Sequence, residues 1–456
     1  MHAGYSPFRP MNTQPAPPLR IAIVGAGWAG LAAAVHAVQA GHAVTVFEAA
    51  PQPGGRARGV PLTLPDGREL MVDNGQHILI GAYTESLRLM RTVGVDPESA
   101  LLRLPLTLRF ADGMGLRWPN APEPLDAVAG ILRARGWRWS ERLALLRAAL
   151  GWRRAGFACA SDVTVATLCR ALPPRLMAEF VEPLCVAALN TPVDQASGPV
   201  FLRVLHDALL GGRGHSRLLL PRIDLGALLP QAAARWLQQR GAVLRRSERI
   251  DTLHAQGLHW HVGGQAFDRV IWATSAPHAV KALTQSASEA PNNIAIGLRD
   301  WCATTARLAH RAITTVYAQA PASAALLPQP MLALRSGPDA PAQFVFDRDA
   351  ITGTREPTGL LAFVASDSAG ERPTLQAAIV AQASRELGLA VQPLLTVTER
   401  RATFACTAAL QRPPAFIAPG LLACGDYVAG PYPATLEGAV RSGIAAAAAI
   451  APAALG

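Results

Sequence analysis

The sequence predicts an α/β protein that opens with a parallel sheet. Three observations predict it: a strand–helix–strand unit at residues 19–48, a strand, turn and helix at residues 421–450, and long apolar, proline-interrupted stretches between the two. The chain has 456 residues, of which 50% are apolar and 16% charged. This composition suffices for a large core and excludes a chain that is disordered throughout.

The first unit begins with the apolar strand LRIAIVGAG, continues with an Ala-rich helix that ends at Gly41, and closes with the strand AVTVFEA. A strand, helix and strand within about thirty residues predict a parallel βαβ unit. Within it, Gly25, Gly27 and Gly30 form GxGxxG, and Glu48 ends the second strand. The unit therefore predicts a dinucleotide site of the Rossmann type rather than a merely structural glycine turn.

Each residue of this motif has a physical reason. Gly25 allows the tight turn, Gly27 lets the backbone approach a pyrophosphate, and Gly30 lets helix and strand pack closely. The first helical residues, Trp28 and Ala29, would turn their free N–H groups toward the phosphates. Glu48 would accept hydrogen bonds from the ribose hydroxyls of an adenosine, which disfavours NADP and leaves NAD and FAD.

A second glycine turn follows at PQPGGRARG, where Gly54 and Gly55 precede Arg56. An arginine there can act as a bidentate donor to phosphate, and a second phosphate clamp suits the extended FAD molecule. The alternative is a surface turn with an exposed arginine. Beside the first motif, this turn favours FAD.

The C-terminal segment reads as a buried strand, a Gly425-Asp426 turn, a proline-bearing loop and a helix that starts near Ala434 or Thr435. Asp426, at the end of the strand, would accept hydrogen bonds from ribityl hydroxyls. The helix start, with Thr435 and Leu436, would turn its positive dipole toward the N1 side of the flavin. The alternative is a plain turn capped by an aspartate.

Together the three motifs resemble the superfamily of flavin-containing amine oxidases and phytoene desaturases. The resemblance implies a Rossmann-like, glutathione-reductase-like FAD domain at residues 19–105, 216–289 and 396–456. It also implies an inserted α+β substrate domain at 106–215 and 290–395. It also makes 268–280 a later strand of the FAD domain and places Ile250, the last residue of the segment GAVLRRSERI, against the adenine. Residues 1–18, rich in proline and polar residues, are expected to form a disordered leader.

A narrower resemblance lies in VDNGQHILIGAY and in GDYVAGPYPATLEGAVRSG. Both segments look like those of the hydroxysqualene dehydroxylases, which implies that reduced FAD is used to remove the hydroxyl of hydroxysqualene and give squalene. Such a reaction needs an acid, and the candidates are His77 and Asp73; Tyr432 is a candidate for the substrate side. Each has a structural alternative: a turn-bonding aspartate, a buried histidine, and a tyrosine that stiffens its loop.

Three other functions stay open. A phytoene-type desaturase would run the redox step in the opposite direction, and no residue excludes it. Amine oxidases commonly use a lysine near the flavin, but the only lysine, Lys281, follows the 268–280 strand and is misplaced for that role. A flavin-bearing partner of the squalene-forming synthases, without chemistry of its own, is the third function.

The segment 137–154 predicts an amphipathic helix with Trp139, Leu143, Leu146 and Leu150 on one face, flanked by arginines. It reads either as a helix at the surface of an anionic membrane or as a core-facing helix with solvated arginines. The net charge of +10 is spread without a basic stripe, so we expect no nucleic-acid partner. The six cysteines show no metal-ligand spacing, so we expect no metal site and a cytoplasmic location. We expect contact with the membrane to be peripheral at most.

Overall fold

The protein is described by a computed structural model covering residues 17–119, 125–321 and 326–450. Residues 1–16 of the predicted leader lie outside this range, and residues 17 and 18 are exposed. The strands are β1 Arg20–Val24, β2 Ala43–Glu48, β3 Gly59–Thr63, β4 Glu69–Asp73, β5 Leu79–Ile80, β6 Leu101–Leu104, β7 Thr107–Arg109, β8 Gly115–Arg117, β9 Leu218–Pro221, β10 Val243–Arg246, β11 His254–Gln256, β12 His259–Val262, β13 Gln265–Phe267, β14 Arg269–Trp272, β15 His310–Gln319, β16 Met331–Ala333, β17 Phe344–Asp347, β18 Leu360–Ser366, β19 Gln392–Phe404, β20 Phe416–Ala418 and β21 Leu421–Ala423.

The helices connect and cover these strands. They are α1 Trp28–Gln39, α2 Thr84–Thr92, α3 Pro97–Ala100, α4 Leu125–Leu132, α5 Trp139–Arg154, α6 Val165–Leu168, α7 Pro174–Leu176, α8 Glu182–Leu189, α9 Gly198–Leu210, α10 Leu225–Leu228, α11 Pro230–Gln238, α12 Ala276–Glu289, α13 Asn292–Thr305, α14 Arg348–Thr352, α15 Arg372–Leu387 and α16 Leu436–Ala448, with a π-helical turn at Met177–Val181. Within the described ranges, no helix combines the length and apolar character needed to cross a bilayer.

The central sheet has the order β10-β2-β1-β14-β21-β20. All its neighbours pair in parallel except β20, which runs antiparallel to β21 at the edge. The four apolar residues of β1 are buried, as expected for a parallel strand covered on both faces. The predicted α/β class with a Rossmann-like sheet is confirmed, and the segments 241–250 and 268–280 supply its strands β10 and β14.

Two helices from opposite ends of the chain pack together on this sheet. Gly443 of α16 lies so close to α1 that a Cβ there would stand 2.1 Å from the carbonyl oxygen of Ala29. A Cβ on Gly30 would likewise stand 1.9 Å from the oxygen of Gly25. Only glycine permits either approach, so the helices α1 and α16 and the first turn form one tightly packed unit.

A second, antiparallel sheet has the order β16-β17-β18-β15-β19. Tyr317 of β15 donates a 2.7 Å hydrogen bond to the carbonyl of Asp73, which ties this sheet to the loop after β4. The strand β19 runs across the predicted boundary at residue 396, because its pairing with β15 continues from Gln392 to Phe404. The domain boundaries as a whole stay a prediction.

Candidate functional site

A cavity of about 910 Å³ begins at the carboxyl ends of the parallel strands. The last residues of β1 and β2, Val24 and Glu48, line it, as do Trp272 at the end of β14 and Gly425 just after β21. In open α/β sheets this edge is where ligands bind. The predicted motifs from both ends of the chain therefore meet at one place.

The first glycine turn shapes one wall of the cavity. Gly25, Gly27, Trp28 and Ala29 all line it. A Cβ added to Gly27 would meet no atom within 4 Å, so the missing side chain leaves free space at the start of α1. Gly30 does not line the cavity; it packs helix against strand and is not a direct contact for a cofactor.

Glu48 is fixed by the backbone around it. Its carboxylate oxygens accept hydrogen bonds from the N–H groups of Ala26, at 2.7 Å, and Ala50, at 2.8 Å. Ile250 and Lys281 line the same cavity, and His278 on α12 feels the charges of Arg249, Lys281 and Asp251. The lysine thus lies with the residues around Ile250, at the end predicted for adenine.

The second glycine turn is joined to the C-terminal turn by an ion pair. Arg56 pairs with Asp426 and also donates a 2.7 Å hydrogen bond to the carbonyl of Ala402. Gly54 forms a parallel bridge with Gly27, and Gly54 and Gly55 both have positive φ. The predicted partners of the two charged residues were phosphate and ribityl hydroxyls; without ligand, each residue has the other as its partner.

The C-terminal helix α16 starts where the sequence predicts. Thr435 is its N-cap, and the hydroxyl of Thr435 accepts a 2.9 Å hydrogen bond from the N–H of Gly438. Thr435 and Leu436 line the cavity, so the positive end of this helix faces it. Together with the start of α1, two helix N-termini point at one space.

The loop after β4 brings the predicted acid candidates to different depths. His77 lines the cavity, whereas Asp73 lies beneath it and accepts a 2.8 Å hydrogen bond from the N–H of Leu225. Gln76 has a φ of 43° and accepts a 3.0 Å hydrogen bond from buried Arg348. Asp73 therefore holds the loop but does not reach the cavity, which corrects its prediction as a direct acid.

The pKa values of Asp73 and His77 stand in the reverse of their usual order. Burial raises the pKa of Asp73 to about 6, because the charge of Arg348 and nearby backbone N–H groups offset it only in part. Burial lowers the pKa of His77 to about 4. His77 is consequently neutral at physiological pH, and Nδ1 has no hydrogen-bond partner among the described residues.

Tyr432 lies in a polar cluster that the sequence did not reveal. Its ring is covered by the guanidinium groups of Arg203 and Arg441, 5.3 and 4.9 Å from the centroid. Its hydroxyl is hydrogen-bonded to Asp207 and Arg203. Burial and the bond to Asp207 raise the pKa of Tyr432, so the phenol stays protonated.

Asp207 carries the negative charge of this cluster. Burial opposes that charge, but hydrogen bonds from His206, Arg203 and Tyr432 outweigh burial and lower the pKa of the carboxyl. Arg203 and Asp207 are one turn apart on α9, a spacing too common on helices to signal a site in a sequence.

Beyond this cluster the cavity wall becomes aromatic and aliphatic. The residues of this apolar section flank β7 and β8 or come from α8 and α9 and their neighbours, from β9 and from the second sheet: Leu106, Trp118, Phe180, Leu184, Val200, Val204, Leu218, Phe344, Phe346 and Val364. Such a wall suits a hydrocarbon chain. Among residues 218–220, only Leu218 lines it.

The residues fit FAD. The open space at Gly27 and the two helix N-termini suit its pyrophosphate, Glu48 and Ile250 suit the adenosine, and the Arg56–Asp426 pair lies between the two glycine motifs. The loop with His77 and the cluster of Tyr432 remain for the reacting end.

Comparisons with known proteins agree with this geometry. The family model of flavin-containing amine oxidoreductases matches residues 28–451. The hydroxysqualene dehydroxylase of Rhodopseudomonas palustris is 27% identical over 93% of this chain and 96% of its own. That of Sinorhizobium fredii is 29% identical over 52% of this chain and 55% of its own.

Solved structures show the same fold. The cyclohexylamine oxidase of Brevibacterium oxydans has a TM-score of 0.66 at 16% identity and covers 95% of this chain and 99% of its own. The family model and the curated relatives confirm the resemblance found in the sequence, with FAD as the cofactor and oxidoreduction as the activity. The chain belongs to the family of flavin-containing amine oxidoreductases.

Proposed function

We propose that the enzyme reductively removes the hydroxyl group of hydroxysqualene to give squalene. The observation that carries the proposal is the cavity itself, which is lined by the glycine motifs, by Tyr432 and by the residues of the apolar section. The similarity to hydroxysqualene dehydroxylases over nearly the whole chain supports this substrate among polyprenyl compounds.

The proposed reaction breaks one C–O bond and forms one C–H bond. The substrate is an allylic alcohol, so loss of the hydroxyl as water, after it receives a proton, leaves a delocalised carbocation. Bound FAD, in its reduced form, supplies the hydride that this carbon needs. The chain must then hold the hydrocarbon, help the hydroxyl leave and keep water from the carbocation.

Tyr432 is the residue best placed to help the hydroxyl leave. Its phenol stays protonated, and its single O–H can donate a hydrogen bond to the leaving oxygen once it turns away from Asp207. A positioned proton donor typically contributes a factor of about 10² to 10⁴. The two guanidinium groups over its ring favour the negative charge that the phenol oxygen gains when its proton moves.

His77 acts differently from the imidazolium acid that its residue type suggests. With a pKa near 4 it carries no spare proton at neutral pH, so its role is to donate or accept one hydrogen bond beside the reacting carbon. The apolar section, with Trp118, Phe180 and Phe346, surrounds the hydrocarbon and excludes water.

The experiment is anaerobic mixing of dithionite-reduced enzyme with hydroxysqualene. We expect the absorbance of oxidised flavin to return while squalene appears in equal amount. Reoxidation without squalene would remove the proposal. The control is oxidised enzyme mixed with phytoene. Bleaching of the flavin in that mixture would instead support a desaturase. The chain matches the zeta-carotene desaturase of maize over 18% of its length.

An amine oxidase or a partner of a squalene-forming synthase would not form squalene in this experiment. Turnover of amines is not expected, since Lys281 lies with the residues around Ile250 rather than beside His77. A protein that binds FAD, fails to turn over hydroxysqualene alone and changes the product of a squalene-forming synthase would be a partner of that synthase.

A further inference from the structure

The helices α4 and α5 carry an unusual concentration of exposed apolar side chains. Five large apolar residues lie exposed on these two helices: Leu125, Val128, Trp139, Leu143 and Leu150. Together with Met114, which lies beside the helices, each has between 40% and 65% of its surface exposed. We call these six residues the apolar patch. Half of the large apolar side chains exposed within the described ranges belong to it.

The segments that carry the six residues are joined to one another. Gly115 and Arg135 exchange two backbone hydrogen bonds of 3.0 Å, which joins the hairpin of β8 to the link between α4 and α5. Gly136 lies against Met114, whose sulfur would be 2.9 Å from a Cβ on that glycine. The patch is therefore one surface rather than scattered residues, and such surfaces mark interaction sites.

The helix α5 is attached to the protein by its opposite face. Leu145 and Trp152 are buried, and Leu146 packs partly against the core. Trp139, Leu143 and Leu150 lie within about 40° of one another around the helix axis and point outward. The core-facing alternative for the predicted apolar face is thus wrong for these three residues, although Leu146 is half-buried.

The surroundings of the patch are strongly basic. Residues 109–154 contain nine arginines against four acidic residues, half of the net charge of the chain in a tenth of its length. Arg133, Arg138, Arg147, Arg153 and Arg154 are exposed. Tryptophan and leucine beside solvated arginines are the composition of surfaces that bind the headgroup region of anionic bilayers.

Behind the patch, α4 and the link between α4 and α5 contact the side chains that line the apolar section of the cavity. Gly130 of α4 lies on Trp118, whose Cδ1 would be 2.4 Å from a Cβ there, and Trp137 packs edge-on against Phe180 with centroids 6.3 Å apart. Trp118 and Phe180 both line the cavity. One layer of side chains therefore separates the patch from the space that suits a hydrocarbon.

We propose that the apolar patch docks on an anionic lipid bilayer and receives the hydrocarbon substrate directly from it. The docking stands on the surface alone, whereas the transfer of substrate rests on the proposed function. Because vesicle binding requires no turnover, failure of the docking proposal is distinguishable from failure of the proposed function.

The test is sedimentation of the FAD-loaded enzyme with vesicles of phosphatidylglycerol and phosphatidylcholine, and with phosphatidylcholine alone. We expect binding to the mixed vesicles that weakens at high salt, and a loss of at least about tenfold in the triple variant Trp139→Ser, Leu143→Ser, Leu150→Ser. The matched control is Val243→Ser, Leu258→Ser, Ile296→Ser, three exposed apolar residues elsewhere, which should bind like the parent.

Equal binding by the parent and the triple variant, or no binding by either, would overturn the proposal. A parent that is dimeric and a triple variant that is monomeric, both indifferent to vesicles, would assign the patch to self-association instead. For the transfer step, the triple variant should lose turnover of hydroxysqualene presented in vesicles and keep turnover of the same substrate in detergent. Loss of turnover in detergent as well would overturn the transfer.

Discussion

Arg56 and Asp426, 370 positions apart in the sequence, form an ion pair in the wall of the cavity. Asp426 is nearly buried and Arg56 is one-third exposed. The pair joins the glycine turn of the N-terminal segment to the turn before the last helix, so the two segments depend on each other for the charge balance of the site.

Removal of both partners should therefore cost less than the two single removals combined. We expect Asp426→Ala and Arg56→Ala each to weaken FAD affinity about tenfold or more, because each leaves a charge without its partner. The double variant should lose less than the product of the two effects. Flavin fluorescence titration measures the affinities, and strictly multiplicative losses would show that the two residues act independently.

Substitutions at the two glycines Gly27 and Gly30 should have different effects. Gly27→Val places its side chain in open space, so the protein should fold normally and yet emerge colourless, because the added atoms occupy the space for the pyrophosphate. Gly30→Ala collides with the oxygen of Gly25 and should lower the melting temperature. Absorbance at 450 nm and thermal melting separate the outcomes; a yellow Gly27→Val protein would contradict the assignment.

Tyr432→Phe should retain FAD and slow the reaction by a factor of about 10² to 10⁴. The ring remains between Arg203 and Arg441, so only the hydroxyl is lost. The measurement is the rate of flavin reoxidation in a single turnover with hydroxysqualene. Asp207→Asn, which keeps the shape of the neighbour, should slow it less, and an unchanged rate in Tyr432→Phe would exclude the phenol.

His77→Ala should keep FAD and slow the same reoxidation about tenfold, the effect of one hydrogen bond. His77→Gln, which retains an N–H donor, should recover part of the rate. Because the pKa of His77 lies near 4, the rate should show no inflection from this residue between pH 5.5 and 8. A step near pH 6.5 that disappears in His77→Gln would contradict its neutral state.

The stability of the protein should respond to pH through Asp73. Its pKa is about 6 in the folded state against 3.8 ordinarily, so the folded protein binds the proton more readily, and stability falls as pH rises from 4 through 6. Asp73→Asn keeps an oxygen for the N–H of Leu225 and avoids the buried charge. The stability advantage of this variant over the parent should grow by about 2.4 kcal/mol between pH 4 and 7. Denaturant unfolding at these two pH values tests this, and a constant difference would contradict it.

The nucleotide end of the site follows from local sequence rules. Each glycine, Glu48 and the start of α16 lie where a strand meets a turn and a helix, and the spacing within such a unit fixes their positions. For this reason the predicted residues there, except Gly30, line the cavity. The ion pair of Arg56 and Asp426 was not predictable, because it depends on how two distant turns meet.

The reacting end depends on contacts between segments far apart, and the sequence offers no spacing for them. Arg203 and Asp207 become significant only because α9 passes beside Tyr432. The motif makes Asp73 a candidate proton donor. The packing of Tyr317 and Leu225 around it nevertheless places it below the wall of the cavity. The depth of a side chain is a tertiary property, and the motif alone does not contain it.

The packing of Gly443 on Ala29 has a consequence for synthesis of the protein. Because residues 421–448 supply both a strand inside the central sheet and the helix that covers α1, a nascent chain on the ribosome lacks part of its nucleotide site until those residues have left the exit tunnel. The nucleotide site accordingly cannot form before residues 421–448 have emerged, and until then the alanine face of the first helix lacks the helix that covers it.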